Sequence, residues 1–286
     1  MDLSIIIVSW NVKDKLRANL RALLESQTKY HLEILVVDNN SEDGSAEMVA
    51  AEFPEVQLIA NSDNLGFAKA NNQALKLASG RYFLLLNPDM LVEADTLEKM
   101  LTWAEIHPEA TVSGYKLTSP EGVVIPQVRR FPRFSDQLFI ILKIPHLFPV
   151  LLNSYLEKNF DYNQATAVDS VRGACFLINR FAWKKISLQD YPLLDERYFI
   201  WFEEVDFCRQ VKTKGGEVWY SPAAKLIDYV GASFNQVGRY KKQGYFADSM
   251  IKYFLKWQPR WQAQVLRWAW FLLGVKLPAL NKLNKN

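Results

Sequence analysis

Residues 3–9 read Leu-Ser-Ile-Ile-Ile-Val-Ser. The run is too uniformly apolar for a strand with one wet face, so it belongs at the centre of a sheet covered on both sides. A helix is expected next from Lys13 to Ser26, with Leu16, Leu20, Leu23 and Leu24 on one face, and then a strand from Glu33 to Val37. That is a βαβ unit. The alternation repeats with a helix at Ser45 to Glu52, a strand at Val56 to Ala60, a helix at Phe67 to Ala78 closed by Gly80, and a strand at Tyr82 to Leu86. It predicts an α/β, doubly wound parallel sheet. After about residue 110 the periodicity weakens, and Gly114 to Pro132 reads as short strands and turns.

The chain has 286 residues, enough to bury a large core, and its 49% hydrophobic and 23% charged content is ordinary for a globular protein. Its two cysteines, Cys175 and Cys208, form no CxxC pair, which excludes a disulfide framework and a four-ligand zinc site and suits a reducing compartment. No basic segment precedes the first strand, so no signal peptide is read and a cytoplasmic location is expected. The net charge of +3 is uneven: residues 239–286 hold ten Lys or Arg against Asp248 alone, a net of +9, which leaves −6 for residues 1–238. Trp257, Trp261, Trp268 and Trp270 lie among those cations, a mixture suited to an anionic membrane surface or to nucleic acid. The apolar stretches Leu138 to Leu152 and Val265 to Leu280 are too interrupted to span a bilayer; each reads as an interfacial segment or as a core or dimer helix. A homodimer is therefore among the expected partners.

Neither GxxxxGK[ST], nor GxGxxG after the first strand, nor GxSxG is present, which removes the anchors for P-loop, dinucleotide and serine-hydrolase chemistry. Ligands of open α/β sheets bind at the carboxyl ends of strands. Three such ends carry polar clusters here: Ser9-Trp10-Asn11, Asp38-Asn39-Asn40-Ser41 and Asn87-Pro88-Asp89. Asp38 reads either as a ligand group beside a helix N-terminus or as part of an N-cap cluster with Ser41 and Gly44. Asp89 suits Mg²⁺ or Mn²⁺, which needs one or two carboxylates and otherwise takes water and phosphate oxygens. Glu203-Glu204-Val205-Asp206 follows the aromatic run Tyr198 to Phe202. Acids against an apolar wall gain proton affinity, as a general base near neutral pH requires, although an acidic first turn of a helix reads the same way.

In order, Val8-Ser9-Trp10-Asn11, Val36 to Ser45, Asn64-Leu65-Gly66-Phe67-Ala68 with Asn71-Asn72, and Leu86-Asn87-Pro88-Asp89 resemble a family 2 inverting glycosyltransferase of the GT-A fold. The rhamnosyltransferase-like branch is nearest. The resemblance continues through Arg130-Phe131-Pro132, Gly173-Ala174-Cys175, Tyr198 to Cys208 and Gly231-Ala232-Ser233, covering roughly residues 3–235. It implies a Rossmann-like, mostly parallel sheet flanked by helices. Residues 1–110 would form the nucleotide-sugar half, 111–238 the acceptor and catalytic half, and 239–286 a basic aromatic helical tail.

The resemblance further implies that Asp38 accepts a hydrogen bond from a pyrimidine base, with Ser9, Asn11, Asn40, Asn64, Gly66, Asn71 and Asn87 around the nucleotide sugar. Asp89 would hold the divalent metal, and Asp228, standing where the family often has His, would be a further ligand. Glu203 and Glu204 occupy the acidic catalytic dyad, with Glu204 at the usual base position, and Arg130, Arg172, Gly173 and Trp201 fall on the acceptor side. The expected reaction moves a sugar, with rhamnose as the branch-level guess, from UDP or dTDP to a hydroxyl of a glycan or lipid-linked saccharide in cell-surface polysaccharide synthesis. The enzyme would sit peripherally on the cytoplasmic face of the inner membrane, docked by its tail. The alternatives are a nucleotidyltransferase, which lacks its Gly-rich, Arg-containing loop after the first strand here, and a non-catalytic sugar-nucleotide or RNA-binding protein. A body at −6 repels nucleic acid, so none is expected as a partner.

Overall fold

The computed structural model describes residues 1–229, 237–275 and 277. Gly231-Ala232-Ser233 and residues 276 and 278–286 of the basic tail lie outside them. The first half alternates β1 (Leu3–Ser9), α1 (Lys13–Leu24), β2 (Leu32–Asp38), α2 (Ser45–Glu52), β3 (Gln57–Ala60), α3 (Phe67–Leu75) and β4 (Tyr82–Leu86). Then follow β5 (Met90–Val92), α4 (Thr96–Ile106), β6 (Ala110–Thr118), β7 (Val128–Arg129) and α5 (Phe134–Ile141), with two 3₁₀ turns at Ile144–His146 and Pro149–Leu152. The remainder is β8 (Thr166–Ala167), β9 (Ser170–Val171), β10 (Cys175–Asn179), α6 (Arg180–Ile186), α7 (Glu203–Thr213), β11 (Glu217–Asp228), α8 (Arg239–Trp257) and α9 (Arg260–Leu272).

The main sheet runs β3-β2-β1-β4-β10-β6-β11-β5. Strands β3, β2, β1 and β4 are mutually parallel, and β6 is parallel to β11. The mostly parallel sheet is as expected, with two antiparallel additions that the strand pattern did not single out: β10 enters antiparallel between β4 and β6, and the edge strand β5 is antiparallel to β11. β1 sits in the middle, as its composition requires, with Leu3, Ile5, Ile6 and Ile7 fully buried. Its two faces feed two cores. Leu3, Ile5 and Ile7 pack with Leu16, Leu20 and Leu23 of α1, while Ile6 packs with Ala68, Ala74 and Leu75 under α3. β6 falls where the sequence reading finds weakened periodicity and, from Gly114, short strands and turns. It is a nine-residue strand in which only Lys116 is less than buried, and its Ser, Thr, Gly and Lys residues mask its core position.

The C-terminal region differs from a free tail. Helices α8 and α9 pack with α5 into a third core built from Met250, Ile251, Phe254, Leu266 and Trp270 together with Tyr198 and Phe202. Two of its cations, Lys252 and Lys256, are engaged inside the molecule. Lys256 Nζ bonds Asp206 at 2.7 Å and Asp195 at 2.8 Å, and Lys252 Nζ reaches the Arg197 carbonyl at 2.6 Å. Among the described residues no helix is long and apolar enough to cross a membrane.

Candidate active site

The parallel strands bring β1, β2 and β4 into register so that their carboxyl ends open on one side. The first two ends are laced together by side chains that turn there. Asn11, at φ 53°, gives its backbone N–H to Ser41 Oγ at 2.9 Å, and its Oδ1 accepts from the Glu42 N–H at 2.7 Å. Asp43 accepts from the N–H groups of Lys13 and Ser45, so it, rather than Ser41, orders the start of α2. Asp38 is buried. Its Oδ2 accepts from the Ser41 N–H at 2.9 Å, while its Oδ1 has no hydrogen-bond partner among the described residues. An unsatisfied buried carboxylate oxygen costs about 1–3 kcal/mol, and a ligand N–H would remove that cost.

One cleft, of about 180 Å³, lies at these strand ends and is lined by Trp10, Asn39, Asn64, Gly66, Asn87 and Asp89, with Arg172 and Trp201 closing its far side. Asn39 is its organiser: its amide nitrogen donates to Asn64 Oδ1 at 3.0 Å, and its Oδ1 accepts from the Leu65 N–H at 3.1 Å. Gly66 is required by the backbone. It sits at φ +84°, and a Cβ there would lie 2.5 Å from the Phe199 carbonyl oxygen. The Asn87-Pro88-Asp89 turn is pinned from below by buried Asn19, whose Nδ2 bonds the Met90 carbonyl at 2.6 Å. Asp89 is 5% exposed at the cleft.

A second cleft, of about 440 Å³, adjoins the first and shares Arg172 and Trp201 with it; its wall includes Glu204, Arg129, Tyr155 and Phe246. Trp201 and Phe202 both adopt positive φ, 64° and 70°. Such non-glycine residues cost about 1–3 kcal/mol each and persist where packing fixes them. Here Phe202 lies against Phe246 and Tyr253 of α8, and α8 holds the segment through a Ser249 hydroxyl bond to the Ile200 carbonyl at 2.7 Å. The strained turn starts α7 abruptly and presents Glu204 to the second cleft. Burial pushes the Glu204 carboxyl up, opposed by the Arg172 guanidinium. Burial and the neighbouring Glu204 charge push Glu203 well above the usual carboxylate range. Glu203 is 4% exposed and lines neither cleft. Of the dyad, only Glu204 has access.

Several expected residues fall elsewhere. Asn71 is buried in α3 with its amide on the Phe67 carbonyl at 2.9 Å, Asn40 is exposed, and Ser9 is buried beneath the cleft. Arg130 points away and pairs with Glu157, while its neighbour Arg129 lines the second cleft. Gly173 brings the backbone against Glu204, whose Cβ would be 3.4 Å from a Cβ added there. Asp228, 2% exposed, holds Arg172 Nη1 at 3.1 Å. Asp206 is structural, as its four hydrogen bonds to Tyr198, Gln210, Lys256 and Trp257 show. The sequence reading passes over Asn39, Asn19 and Arg129 as site residues. Only Asn39 carried a signal, its place in the Asp38-Asn39-Asn40 cluster.

No group of three or more metal-ligating side chains occurs among the described residues. The donor set is nonetheless suited to a hard divalent ion that takes its remaining ligands from water and phosphate, with the Asp89 carboxylate at the cleft and Asp228 on the strand paired with β5 at Met90. Two adjoining clefts, one lined by Asp89 at the strand ends and the other by Glu204, suit an enzyme that brings two substrates together.

Comparison with known proteins agrees. The model of the Glycosyl transferase family 2 matches residues 4–186, more than half of the chain, and the chain belongs to that family. A curated relative, N-acetylglucosaminyl-diphospho-decaprenol L-rhamnosyltransferase of Mycobacterium tuberculosis, is 24% identical over 220 residues, covering 73% of this chain and 70% of its own. The minor teichoic acid biosynthesis protein GgaB of Bacillus subtilis is 29% identical over 271 residues, 90% of this chain but 29% of that protein. Among solved structures, GalNAc-T7 with UDP, GalNAc and Mn²⁺ superposes with a TM-score of 0.61 at 12% identity, covering 90% of this chain and 48% of that one. The shared fold is GT-A.

Proposed function

We propose that the chain transfers a glycosyl group, with inversion, from a nucleoside-diphosphate sugar to a hydroxyl of a glycan or lipid-linked saccharide in cell-surface polysaccharide synthesis. The observation that carries this reading is the pair of clefts meeting at Arg172 and Trp201, one floored by Asp89 and the other walled by Glu204. The donor nucleotide lies at the strand ends, where the free Oδ1 of Asp38 suits the imide N–H of a uracil or thymine. The acceptor occupies the second cleft. Glu204 removes the proton of the acceptor hydroxyl as that oxygen attacks the anomeric carbon, and the bond to the diphosphate oxygen breaks on the opposite face. One displacement inverts the centre, and the nucleoside diphosphate leaves with the bonding electrons.

Asp89, with Asp228 as a second carboxylate, would hold Mg²⁺ or Mn²⁺, which when bound supplies charge neutralisation at the diphosphate. Arg172 stands at the junction with a guanidinium able to serve the same anion from the protein side. GalNAc-T7, solved with UDP and Mn²⁺, supports the donor and metal assignments, and the mycobacterial relative supports rhamnose and a polyprenyl-linked acceptor. A lipid-linked acceptor places the enzyme peripherally on the cytoplasmic face of the membrane. The test is acceptor-dependent release of nucleoside diphosphate from a panel of UDP-, dTDP- and GDP-sugars, with NMR assignment of the product's anomeric configuration. The reading expects one donor to be used and an inverted product; a retained configuration, or release indifferent to acceptor, would overturn it.

A further inference from the structure

We propose that the outer face of α9 and the 3₁₀ segment after α5 together form a docking surface for an anionic lipid bilayer. The proposal rests on the lipid-linked acceptor reading and assigns the surface that would bring the second cleft to its substrate. In α9, Ala263, Leu266, Ala269 and Trp270 face the third core. The opposite face is also apolar: Trp261, Trp268, Phe271 and Leu272 are exposed, Trp268 by 64% and Leu272 by 81%. A soluble helix is expected to be polar on the side away from its core, so two apolar faces call for a second apolar partner. Leu147, Phe148 and Val150 of the 3₁₀ segment are exposed as well, and that segment follows directly from α5, whose Phe134 ring stacks edge-on with Trp261 at 5.1 Å.

Charge selects the occupant. Arg260 and Arg267 are the only charged residues of α9, residues 142–152 contain Lys143 and no acid, and Lys276, Lys282 and Lys285 follow in the sequence without an acid. Aromatic and leucine side chains interspersed with cations along the sequence suit an anionic interface, where each well-placed basic residue adds about 1 kcal/mol. A second copy of the chain fits less well, since a two-fold contact would set these cations against themselves. The surface also lies close to the acceptor cleft: Trp270, on the inner face of α9, meets Phe246 at 6.4 Å, and Phe246 lines that cleft.

The test is flotation of the full chain with vesicles of phosphatidylcholine alone and of phosphatidylcholine mixed with phosphatidylglycerol. It is repeated with the double variants Trp268→Ser, Phe271→Ser and Leu147→Ser, Phe148→Ser. These side chains are exposed, so both variants should fold. The proposal expects binding to the anionic vesicles, weakened by salt, and a loss of at least ~tenfold in partitioning for each double variant, with transfer to a short soluble acceptor unchanged. Equal partitioning of wild type and variants overturns it, as does a wild type that ignores vesicles and sediments as a dimer dispersed by the same substitutions. Flotation needs no substrate. A failed transfer assay with intact flotation would therefore sink the glycosyl-transfer reading and leave the docking surface standing.

Discussion

Replacing Asp206 by Ala removes the tie between α7 and the C-terminal helices. The carboxylate is fully buried and accepts from Gln210 and Lys256 at 2.7 Å, from Trp257 Nε1 at 2.6 Å and from the Tyr198 hydroxyl at 3.3 Å. Breaking a buried ion pair from one side costs about 3–5 kcal/mol, because the remaining charge stays desolvated. The lower end applies here, since Lys256 keeps Asp195 at 2.8 Å and its side chain is 22% exposed. A loss of about 3 kcal/mol corresponds to a fall of roughly 6–10 °C in melting temperature for a domain of this size. Thermal and guanidinium unfolding of the variant should show that loss with an unchanged m-value. Lys256→Met added to Asp206→Ala should recover part of it, because the cation left with one of its two carboxylates is then gone, and Asp195 keeps Arg197 at 2.6 Å. If the single variant melts within about 0.5 kcal/mol of wild type, or the second substitution gives no recovery, the charge-based account of this junction is wrong.

Three further outcomes test the site. Glu204→Gln should lower kcat by about 10²–10⁴ with the fold intact, whereas Glu203→Gln, which alters a buried carboxyl outside both clefts, should cost far less; steady-state kinetics of the two variants side by side decides between them. Gly66→Ala forces a Cβ to within 2.5 Å of the Phe199 carbonyl at φ +84°, so a stability loss of about 2 kcal/mol or more and a raised donor KM are expected, and a neutral result would refute the close-packed cleft wall. A base must be deprotonated to act, so transfer should rise with pH through the raised Glu204 value; Arg172→Gln removes the opposing pull of the guanidinium and should move that limb to higher pH, while a shift to lower pH would contradict the assignment.

The parallel half of the sheet was legible because its inner strands β1, β2 and β4 are buried on both faces and its helices keep a 3.6-residue apolar repeat. Ser45–Glu52 and Tyr82–Leu86 fall where the pattern puts them. The second half was not, for physical reasons. β6 buries Thr111, Ser113 and Gly114 within a mixed sheet, so no hydrophobic run marks it, and nothing local announces that β10 will insert antiparallel between distant strands. Of the site, the strand-end clusters and the acidic pair were readable from residue type and position. The pairing of Arg172 with Asp228, and the exchange of Arg130 for Arg129 at the second cleft, depend on contacts 41 to 56 residues apart that spacing does not encode. The basic aromatic C-terminal region misled in part, since a lysine that looks like a surface cation in sequence, Lys256, proves to be the counter-ion of a buried aspartate.

Calorimetric titration of the protein with UDP, dTDP, GDP and ADP, with and without Mn²⁺ and alongside Asp89→Ala, tests the central claim most directly. The proposed donor site, with Asp89 on the cleft wall and Asp38 buried at the neighbouring strand end, predicts metal-dependent binding of a pyrimidine diphosphate that the substitution abolishes. Absence of nucleotide binding under every condition, or binding that Asp89→Ala leaves intact, would contradict it.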